Sequence, residues 1–178
     1  MKLVILDRDG VINKDSGDFI KSPDEWMPID GSLEAIALLN EHGFTVTVAT
    51  NQSGVARGLY DIATLGAIHN KMHKAVESVG GHIDAVYYCP HINEDNCDCR
   101  KPKSKMVIDI GQQFNVDLAN VAGIGDSLRD LQSFANAGCQ PMLVLTGNGE
   151  KTLSGGDLPE NTLIFSDLAE AVQHIVSE

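Results

Sequence analysis

KLVILDRDG, residues 2–10, is the stretch that decides the fold: four apolar residues run directly into two acids and a glycine. A short apolar run that ends in a turn signal is typical of a buried strand. In sheets of parallel strands, ligands bind outside the carboxyl ends of the strands. Asp7 and Asp9 therefore stand where a functional site is expected, if further parallel strands follow.

The rest of the sequence alternates apolar runs with amphipathic stretches, and this order predicts an α/β fold. Ser32 is expected at a helix N-cap, and residues 154–157 are expected to form a surface loop. The predicted architecture is one domain, residues 1–178, with a Rossmann-like parallel sheet and helices on both faces. Further strands are predicted at 44–50, 83–89, 121–124, 141–145 and 163–165, and helices at 32–42, 61–79, 105–114, 128–137 and 168–176.

Polar segments follow four of the predicted strands. After DRDG at 7–10 come TNQSG at 50–54, a cysteine-rich loop that ends in RKP at 100–102, and GDSLRD at 125–130. A DxD pair alone is as well explained by a solvated turn, but four such segments share one edge of a parallel sheet. Carboxylates there can attack phosphorus, bind Mg²⁺ and transfer protons, while a lysine and a hydroxyl neutralise phosphoryl oxygens.

These four segments resemble the motifs of phosphatases of the haloacid dehalogenase (HAD) superfamily, over nearly the whole chain. The resemblance implies that Asp7 is the nucleophile, which forms an aspartyl phosphate, and that Asp9 is the general acid/base. It also implies Mg²⁺ as the catalytic cofactor. The ion would be bound by Asp7, the backbone carbonyl of Asp9 and Asp126, with Asp130 behind it.

Three of the four cysteines fall within eleven residues beside a histidine. Three thiolates and one imidazole suit a closed, tetrahedral, structural zinc site. Cys89, His91, Cys97 and Cys99 are therefore predicted to bind Zn²⁺ and to staple the loop that ends in RKP, with free surface cysteines as the alternative. The fourth, Cys139, is interpreted as a buried thiol.

CPH at 89–91, CDCRKP at 97–102 and TNQSGVARG at 50–58 are together similar to one branch of the HAD phosphatases, which acts on heptose bisphosphate or histidinol phosphate. Residues 103–105, Lys-Ser-Lys, depart from that branch, which has a Pro-Gly segment there. The resemblance implies that phosphate and substrate are bound by Asp15, Asp18, Thr50, Asn51, Gln52, Ser53, Arg100 and Lys101.

The leading functional hypothesis is removal of the 7-phosphate of D-glycero-D-manno-heptose 1,7-bisphosphate, in the synthesis of lipopolysaccharide core or surface glycans. Histidinol phosphate is the alternative substrate, and a lone phosphatase domain favours the heptose. A zinc-stabilised binding domain without catalysis is a third hypothesis. The intact acids and lysine of the four motifs oppose it, since a degenerate relative usually loses one of them.

Composition limits the partners. The net charge of −12 opposes binding to nucleic acid, and no run approaches the roughly 20 apolar residues of a transmembrane helix. The protein is therefore expected to be cytoplasmic, without a membrane partner, and monomeric because no long apolar surface stripe is evident. The spacing of the motifs leaves no room for a separate cap domain, so the site should be open.

Four further residues permit two interpretations each. His69 and His73 lie four apart on a predicted helix, and a solvated helix face is favoured over a metal pair. Trp26 could stack on a ligand or anchor its loop to the core. Arg57 could reach a substrate or cap a helix.

Overall fold

A computed structural model describes all 178 residues, Met1–Glu178, and contains one six-stranded parallel sheet. The strands are β1 (Lys2–Leu6), β2 (Phe44–Asn51), β3 (Ala85–Cys89), β4 (Ala122–Gly125), β5 (Gln140–Val144) and β6 (Leu163–Phe165). The helices are α1 (Ser32–Glu41), α2 (Ile62–Ser78), α3 (Lys105–Phe114), α4 (Leu128–Ala137), α5 (Gly149–Gly155) and α6 (Leu168–Ser177). The predicted fold class is confirmed.

Helices cover both faces of the sheet because alternate strand residues point to opposite sides. Val4 and Leu6 of β1 belong to the larger hydrophobic cluster, together with residues of α1, α2 and α6. Leu3 and Ile5 point the other way, into a second cluster with residues of α3 and α4. The central strand is therefore buried on both faces, as its continuous apolar sequence predicts.

The strand order β3-β2-β1-β4-β5-β6 reverses direction at β1. Leu6 of β1 lies between Val48 of β2 and Ile124 of β4 in the registers of the two parallel pairs. Such a reversal opens a crevice at the carboxyl ends of the strands. Asp7 therefore enters this crevice between the segments that follow β2 and β4.

Two local predictions are wrong. Gly31, with φ of 85°, caps α1, and the Ser32 hydroxyl donates instead to the Val11 carbonyl at 2.7 Å. The segment predicted as a loop at 154–157 begins within α5. Glycine and serine make this helix weak by propensity, but a tertiary contact supports it: Thr152 Oγ1 donates to the Asp126 carbonyl at 2.7 Å.

None of the helices combines the length and apolar character needed to cross a lipid bilayer.

Candidate active site

A cavity of about 310 Å³ lies at the carboxyl edge of the sheet, above β1 and β4. Its lining is polar apart from Phe19 and Ile20. Most of the predicted site residues line it: Asp7, Asp9, Asp15, Asn51, Gln52, Ser53, Arg100, Lys101, Asp126 and Asp130. The four motifs therefore meet in one place.

Three carboxylates and one lysine form the floor of the cavity. Oxygens of Asp7, Asp126 and Asp130 lie within 4.8 Å of one another. The fully buried Lys101 Nζ contacts Asp7 Oδ1 at 2.9 Å and Asp130 Oδ1 at 2.7 Å. One cation thus bridges acids that follow β1 and β4.

The pKa values divide these acids into two kinds. Burial, and then the charge of Asp130, raise the pKa of Asp7 to about 7, against the influence of Lys101. Burial and the neighbouring charges of Asp130 and Asp7 raise the pKa of Asp126 to about 8. Burial also opposes ionisation of Asp130, but the charge and hydrogen bond of Lys101 outweigh it and lower the pKa of Asp130. Asp130 and Lys101 therefore form a charged pair.

The donor set fits Mg²⁺, which prefers carboxylate oxygens and retained water. Asp130 is occupied on both oxygens, by Lys101 and by Ser127 Oγ at 2.7 Å. Asp7 and Asp126 each keep one oxygen outside these contacts, since Lys101 takes Asp7 Oδ1 and the Asn148 amides take Asp126 Oδ2. The two acids with raised pKa values are therefore the ones available to a cation.

Two glycines wall in the Asp126 carboxylate. A Cβ on Gly10, with φ of 84°, would stand 2.0 Å from Asp126 Oδ2, and one on Gly147, with φ of 56°, would stand 2.3 Å from it. Any other residue at either position would clash with the carboxylate. The glycines therefore fix where Asp126 can lie.

Asp9 is held by donors from three residues. Arg8 donates through Nε and Nη2 to Oδ1 at 3.0 and 2.8 Å, and Asn13 Nδ2 donates to the same oxygen at 3.0 Å. Gln52 Nε2 donates to Oδ2 at 2.9 Å. Burial opposes ionisation, but the Arg8 charge and these hydrogen bonds lower the pKa of Asp9. Asp9 is therefore a carboxylate in the free protein.

The end of β2 and the residues that follow it both line the cavity and support it. Thr50 is fully buried below the lining, and its Oγ1 accepts from Gln52 Nε2 at 3.0 Å. Both amide atoms of Asn51 bond the backbone of Lys101: Nδ2 donates to its carbonyl at 3.1 Å, and Oδ1 accepts from its N–H at 3.0 Å. Asn51 thus fixes the segment that carries the lysine.

The two predicted acids of the following loop separate. Asp15 lines the cavity and accepts from Asn148 Nδ2 at 3.1 Å, whereas Asp18 points outward, with its side chain 90% exposed, and pairs with Lys21. Sequence reasoning assigned no role to Asn148 and Arg129, which also line the cavity. Arg129 lies within the GDSLRD motif, but no pattern marks Asn148, which follows β5.

The open alternatives for Trp26 and Arg57 are decided by position. Trp26 is fully buried in the larger cluster, so it anchors its loop. Arg57 lines the cavity, where its guanidinium lies 5.6 Å from the centre of the Phe19 ring. The favoured interpretation of His69 is wrong, because it is 8% exposed and contacts Arg8.

The cysteine-rich loop gathers three thiols. Cys89 Sγ lies 2.7 Å from Cys99 Sγ and 3.6 Å from Cys97 Sγ, which makes a donor set suited to a thiolate-bound metal. His91 lies outside this group: its Nδ1 is 3.6 Å from Asp95 Oδ2. Cys139 is buried, as predicted, and burial raises its pKa to about 12.

Arg100 is tied to the same loop. Its Nε donates to Asn93 Oδ1 at 2.9 Å, and its Nη1 donates to the His91 carbonyl at 3.2 Å. The conformation of the cysteine-rich loop therefore determines where this cavity-lining cation lies.

Fold and site together define a hydrolase class. Residues 6–138 match the haloacid dehalogenase-like hydrolases, and the chain belongs to this family.

Similar proteins extend the comparison to the full length. The D-glycero-beta-D-manno-heptose-1,7-bisphosphate 7-phosphatase of Bordetella bronchiseptica is 57% identical over 178 residues, which cover 100% of this chain and 99% of the relative. A crystal structure of D,D-heptose 1.7-bisphosphate phosphatase from B. bronchiseptica, complexed with magnesium and phosphate, superposes with a TM-score of 0.98 at 57% identity, with 99% of each chain covered. The crystal structure of D,D-heptose 1,7-bisphosphate phosphatase from Burkholderia thailandensis superposes with a TM-score of 0.81 at 49% identity, with both chains fully covered.

Proposed function

We propose that this chain is a Mg²⁺-dependent phosphatase that removes the 7-phosphate of D-glycero-D-manno-heptose 1,7-bisphosphate. The observation that carries the proposal is the convergence of Asp7, Asp9, Lys101 and Asp126 in one cavity. Relatives with this name match the chain over its full length. Phosphoryl transfer needs these groups together, because a nucleophile, a proton carrier and charge neutralisation must act on one phosphorus atom.

Each residue has a proposed role. An Asp7 oxygen attacks phosphorus and forms the aspartyl phosphate while the bond from phosphorus to the sugar oxygen breaks. Asp9 gives that oxygen a proton, and then takes a proton from the water that hydrolyses the intermediate. Lys101 stabilises charge on the phosphoryl oxygens. Because the free protein holds Asp9 as a carboxylate, we propose that it gains its proton with substrate bound, when phosphate charge nearby raises its pKa.

Asp7, Asp126 and the backbone carbonyl of Asp9 are proposed to hold Mg²⁺, with Asp130 supporting the site through Lys101. When bound, the ion supplies positive charge opposite the phosphoryl oxygens. Asp7 and Asp126 are the two acids with oxygens left for such a ligand.

Positive charge in the cavity suits a substrate with two phosphates. The chain carries a net charge of −12, yet Arg57, Arg100 and Arg129 line the cavity in addition to Lys101. These guanidinium groups suit the phosphate that is not cleaved, because arginine binds phosphate through paired hydrogen bonds. Asp15 is proposed to accept hydrogen bonds from sugar hydroxyls.

The converging thiols of Cys89, Cys97 and Cys99 are proposed to hold a structural Zn²⁺. His91, whose Nδ1 lies 3.6 Å from Asp95 Oδ2, is proposed as the fourth ligand because three thiolates and one imidazole complete a tetrahedral site. Zinc would lock a loop that has little hydrophobic core of its own and so orient Arg100. We further propose that the protein acts as a monomer in the cytoplasm, where a charged sugar bisphosphate is retained.

The test is phosphate release, with Mg²⁺, from both anomers of the heptose bisphosphate and from histidinol phosphate. We expect a preference of about a hundredfold in kcat/KM for the heptose, since discrimination of this size is reached when polar substrate groups are matched. Asp7→Asn should abolish turnover, while Asp18→Asn, a matched change at an exposed acid, should not. Preference for histidinol phosphate, or no turnover of either substrate, would contradict the proposal.

A further inference from the structure

Arg8 is a buried cation beside the catalytic acids. Arg8 is 0% exposed, although a buried charge is costly unless it is paired. The guanidinium has two partners. Asp9 Oδ1 accepts hydrogen bonds from Nε and Nη2, and His69 Nε2 lies 3.1 Å from Nη1. A histidine 61 residues away in sequence thus contacts the same guanidinium as the catalytic acid.

His69 can only accept in this contact. A guanidinium has donors but no acceptor, so Nε2 must carry a lone pair and the ring must be neutral with its proton on Nδ1. Burial, and then the Arg8 charge, lower the pKa of His69 to about 3, which agrees with a neutral ring. The imidazole is therefore a fixed acceptor.

The helix that carries His69 is firmly placed. Ile68 and Met72 of α2 are fully buried in the larger cluster. Lys71 Nζ ties the helix to the loop before α1 through the carbonyls of Pro23 and Trp26 at 2.7 and 2.8 Å. His69 thus presents its acceptor from a rigid element to a guanidinium that has no other side-chain partner beyond Asp9.

The consequence falls on one oxygen of Asp9. Arg8 and Asn13 together donate three hydrogen bonds to Asp9 Oδ1, whereas Oδ2 accepts one hydrogen bond, from Gln52 Nε2. The Asp9 side chain keeps 24% of its surface exposed, toward the cavity that it lines. Holding one oxygen from behind leaves the other to exchange a proton with the substrate.

We propose that His69 is a positioning residue for the phosphatase reaction, which holds Arg8 so that Arg8 fixes the orientation of Asp9. This inference rests on the proposed function, in which Asp9 is the proton carrier. His69 itself touches neither substrate nor metal. Its effect should therefore appear in the step that requires a proton and not in the binding of substrate.

The test uses a difference between leaving groups. Alkyl oxygens need a proton to depart, whereas 4-nitrophenolate departs without one. His69→Leu, His69→Gln and His69→Asn are compared with wild type on the heptose bisphosphate, on the simple alkyl phosphate that wild type hydrolyses fastest, and on 4-nitrophenyl phosphate. Gln can place an acceptor near the position of Nε2, and Asn is too short to do so. His73→Leu, one turn further along α2, is the matched control.

For His69→Leu we expect kcat on alkyl phosphates to fall by about tenfold or more, part of the gain that general acid–base catalysis supplies. KM should stay within about twofold, the loss of kcat/KM on 4-nitrophenyl phosphate should be several-fold smaller than on alkyl phosphates, and His69→Gln should recover most of the activity. If His69→Leu does not fold, the difference between His69→Gln and His69→Asn carries the test.

Unchanged kcat/KM in a folded His69→Leu protein, or equal losses of kcat/KM on alkyl and aryl phosphates, would overturn the inference. The ratio kcat/KM is compared because it reports the departure of the leaving group, whereas kcat also contains the hydrolysis of the aspartyl phosphate, in which Asp9 acts on every substrate. Failure of wild type on the heptose alone would contradict the proposed substrate instead. The comparison on the simple alkyl phosphate would then still decide the role of His69.

Discussion

At the scale of single residues, Lys101 connects the chemistry of the site to the stability of the fold. It is 1% exposed and contacts Asp7 and Asp130 within 3 Å. Burial opposes its charge, but the charges of Asp130 and Asp7 outweigh burial and raise its pKa. The lysine therefore remains charged, and it contacts both carboxylates at the floor of the cavity.

Lys101→Met should destabilise the protein by about 3–5 kcal/mol, because removing one partner of a buried ion pair leaves the other uncompensated. Urea unfolding without Mg²⁺ measures the change in the free energy of unfolding. Lys105→Met is the matched control: Lys105 also contacts a carboxylate, Asp109 at 2.8 Å, but both side chains are exposed. Equal effects of the two substitutions would contradict the interpretation.

A second residue-scale prediction concerns pH. In the metal-free protein the pKa of Asp7 is raised to about 7 and that of Asp126 to about 8, from 3.8. At pH values between 3.8 and these raised pKa values, the folded state binds more protons than the unfolded state. The stability that these two acids contribute is therefore complete at low pH and is lost as pH rises through about 7 to 8.

Magnesium reverses this trend, because it binds the ionised carboxylates. We expect Mg²⁺ to bind more weakly at about pH 6 than at about pH 8.5, and to release protons as it binds at the lower pH. Calorimetric titration in two buffers with different ionisation enthalpies measures both quantities. Binding that neither changes with pH nor releases protons would contradict the assigned pKa shifts.

At the scale of elements, the loop between β3 and α3 controls one wall of the cavity. It leaves β3 at Cys89, forms a short 3₁₀ turn at Asn93–Asp95, and returns through Arg100 and Lys101 to α3. Its links to the body of the protein include the thiol cluster, the bonds of Asn51 to the Lys101 backbone and the contacts of the Lys101 side chain with Asp7 and Asp130. Loops without a core are usually the least stable parts of a fold, so such links decide their conformation.

On the proposed zinc site, Cys97→Ser should lower the zinc content and raise KM for the sugar bisphosphate, because Arg100 is oriented by bonds to this loop. Faster amide exchange in residues 90–100 should accompany the change. Cys139→Ala, at a buried cysteine outside the cluster, should keep its zinc. Unchanged KM and exchange in a zinc-free protein would argue that the metal does not position Arg100.

At the scale of the whole molecule, one sheet joins both hydrophobic clusters, since β1 contributes side chains to each. If either cluster lost its packing, one apolar face of β1 would be exposed to water, and the strand would no longer be held for the other cluster. We therefore predict one domain and one cooperative unfolding transition. Fluorescence of Trp26, which lies in the larger cluster, should report the same midpoint as far-ultraviolet circular dichroism, and sedimentation should give the mass of one chain. Separate midpoints would mean that the clusters unfold independently.

Much of the fold follows from the sequence, because strands and helices with strong hydrophobic periodicity are defined locally. Both boundaries of α3 and α4 agree with their predictions. Helix α5 was missed because a contact with Asp126 supports it where propensity does not. Ser32 likewise satisfies a distant carbonyl instead of capping its helix.

The site was predictable where a residue type and its place after a strand coincide, as at Asp7 and Asp126. The partners that a side chain bonds once it is in place were not predictable from the sequence. Asn51 is predicted to bind substrate and lines the cavity, but its place in the sequence does not reveal that both atoms of its side-chain amide bond the Lys101 backbone. His69 was expected in water because helical spacing alone does not reveal that a buried arginine lies opposite. Such pairings depend on tertiary contacts between distant segments.

The segregation of function to the carboxyl edge of the sheet also has a practical side. Gly43, in the tight turn between α1 and β2, is exposed and stands at the opposite edge of the sheet, where no cavity-lining residue lies. A short peptide inserted between His42 and Gly43 would place an affinity handle on the far side of the molecule. Enzyme captured through that handle on a solid support would present its cavity outward to a flowing solution of substrate.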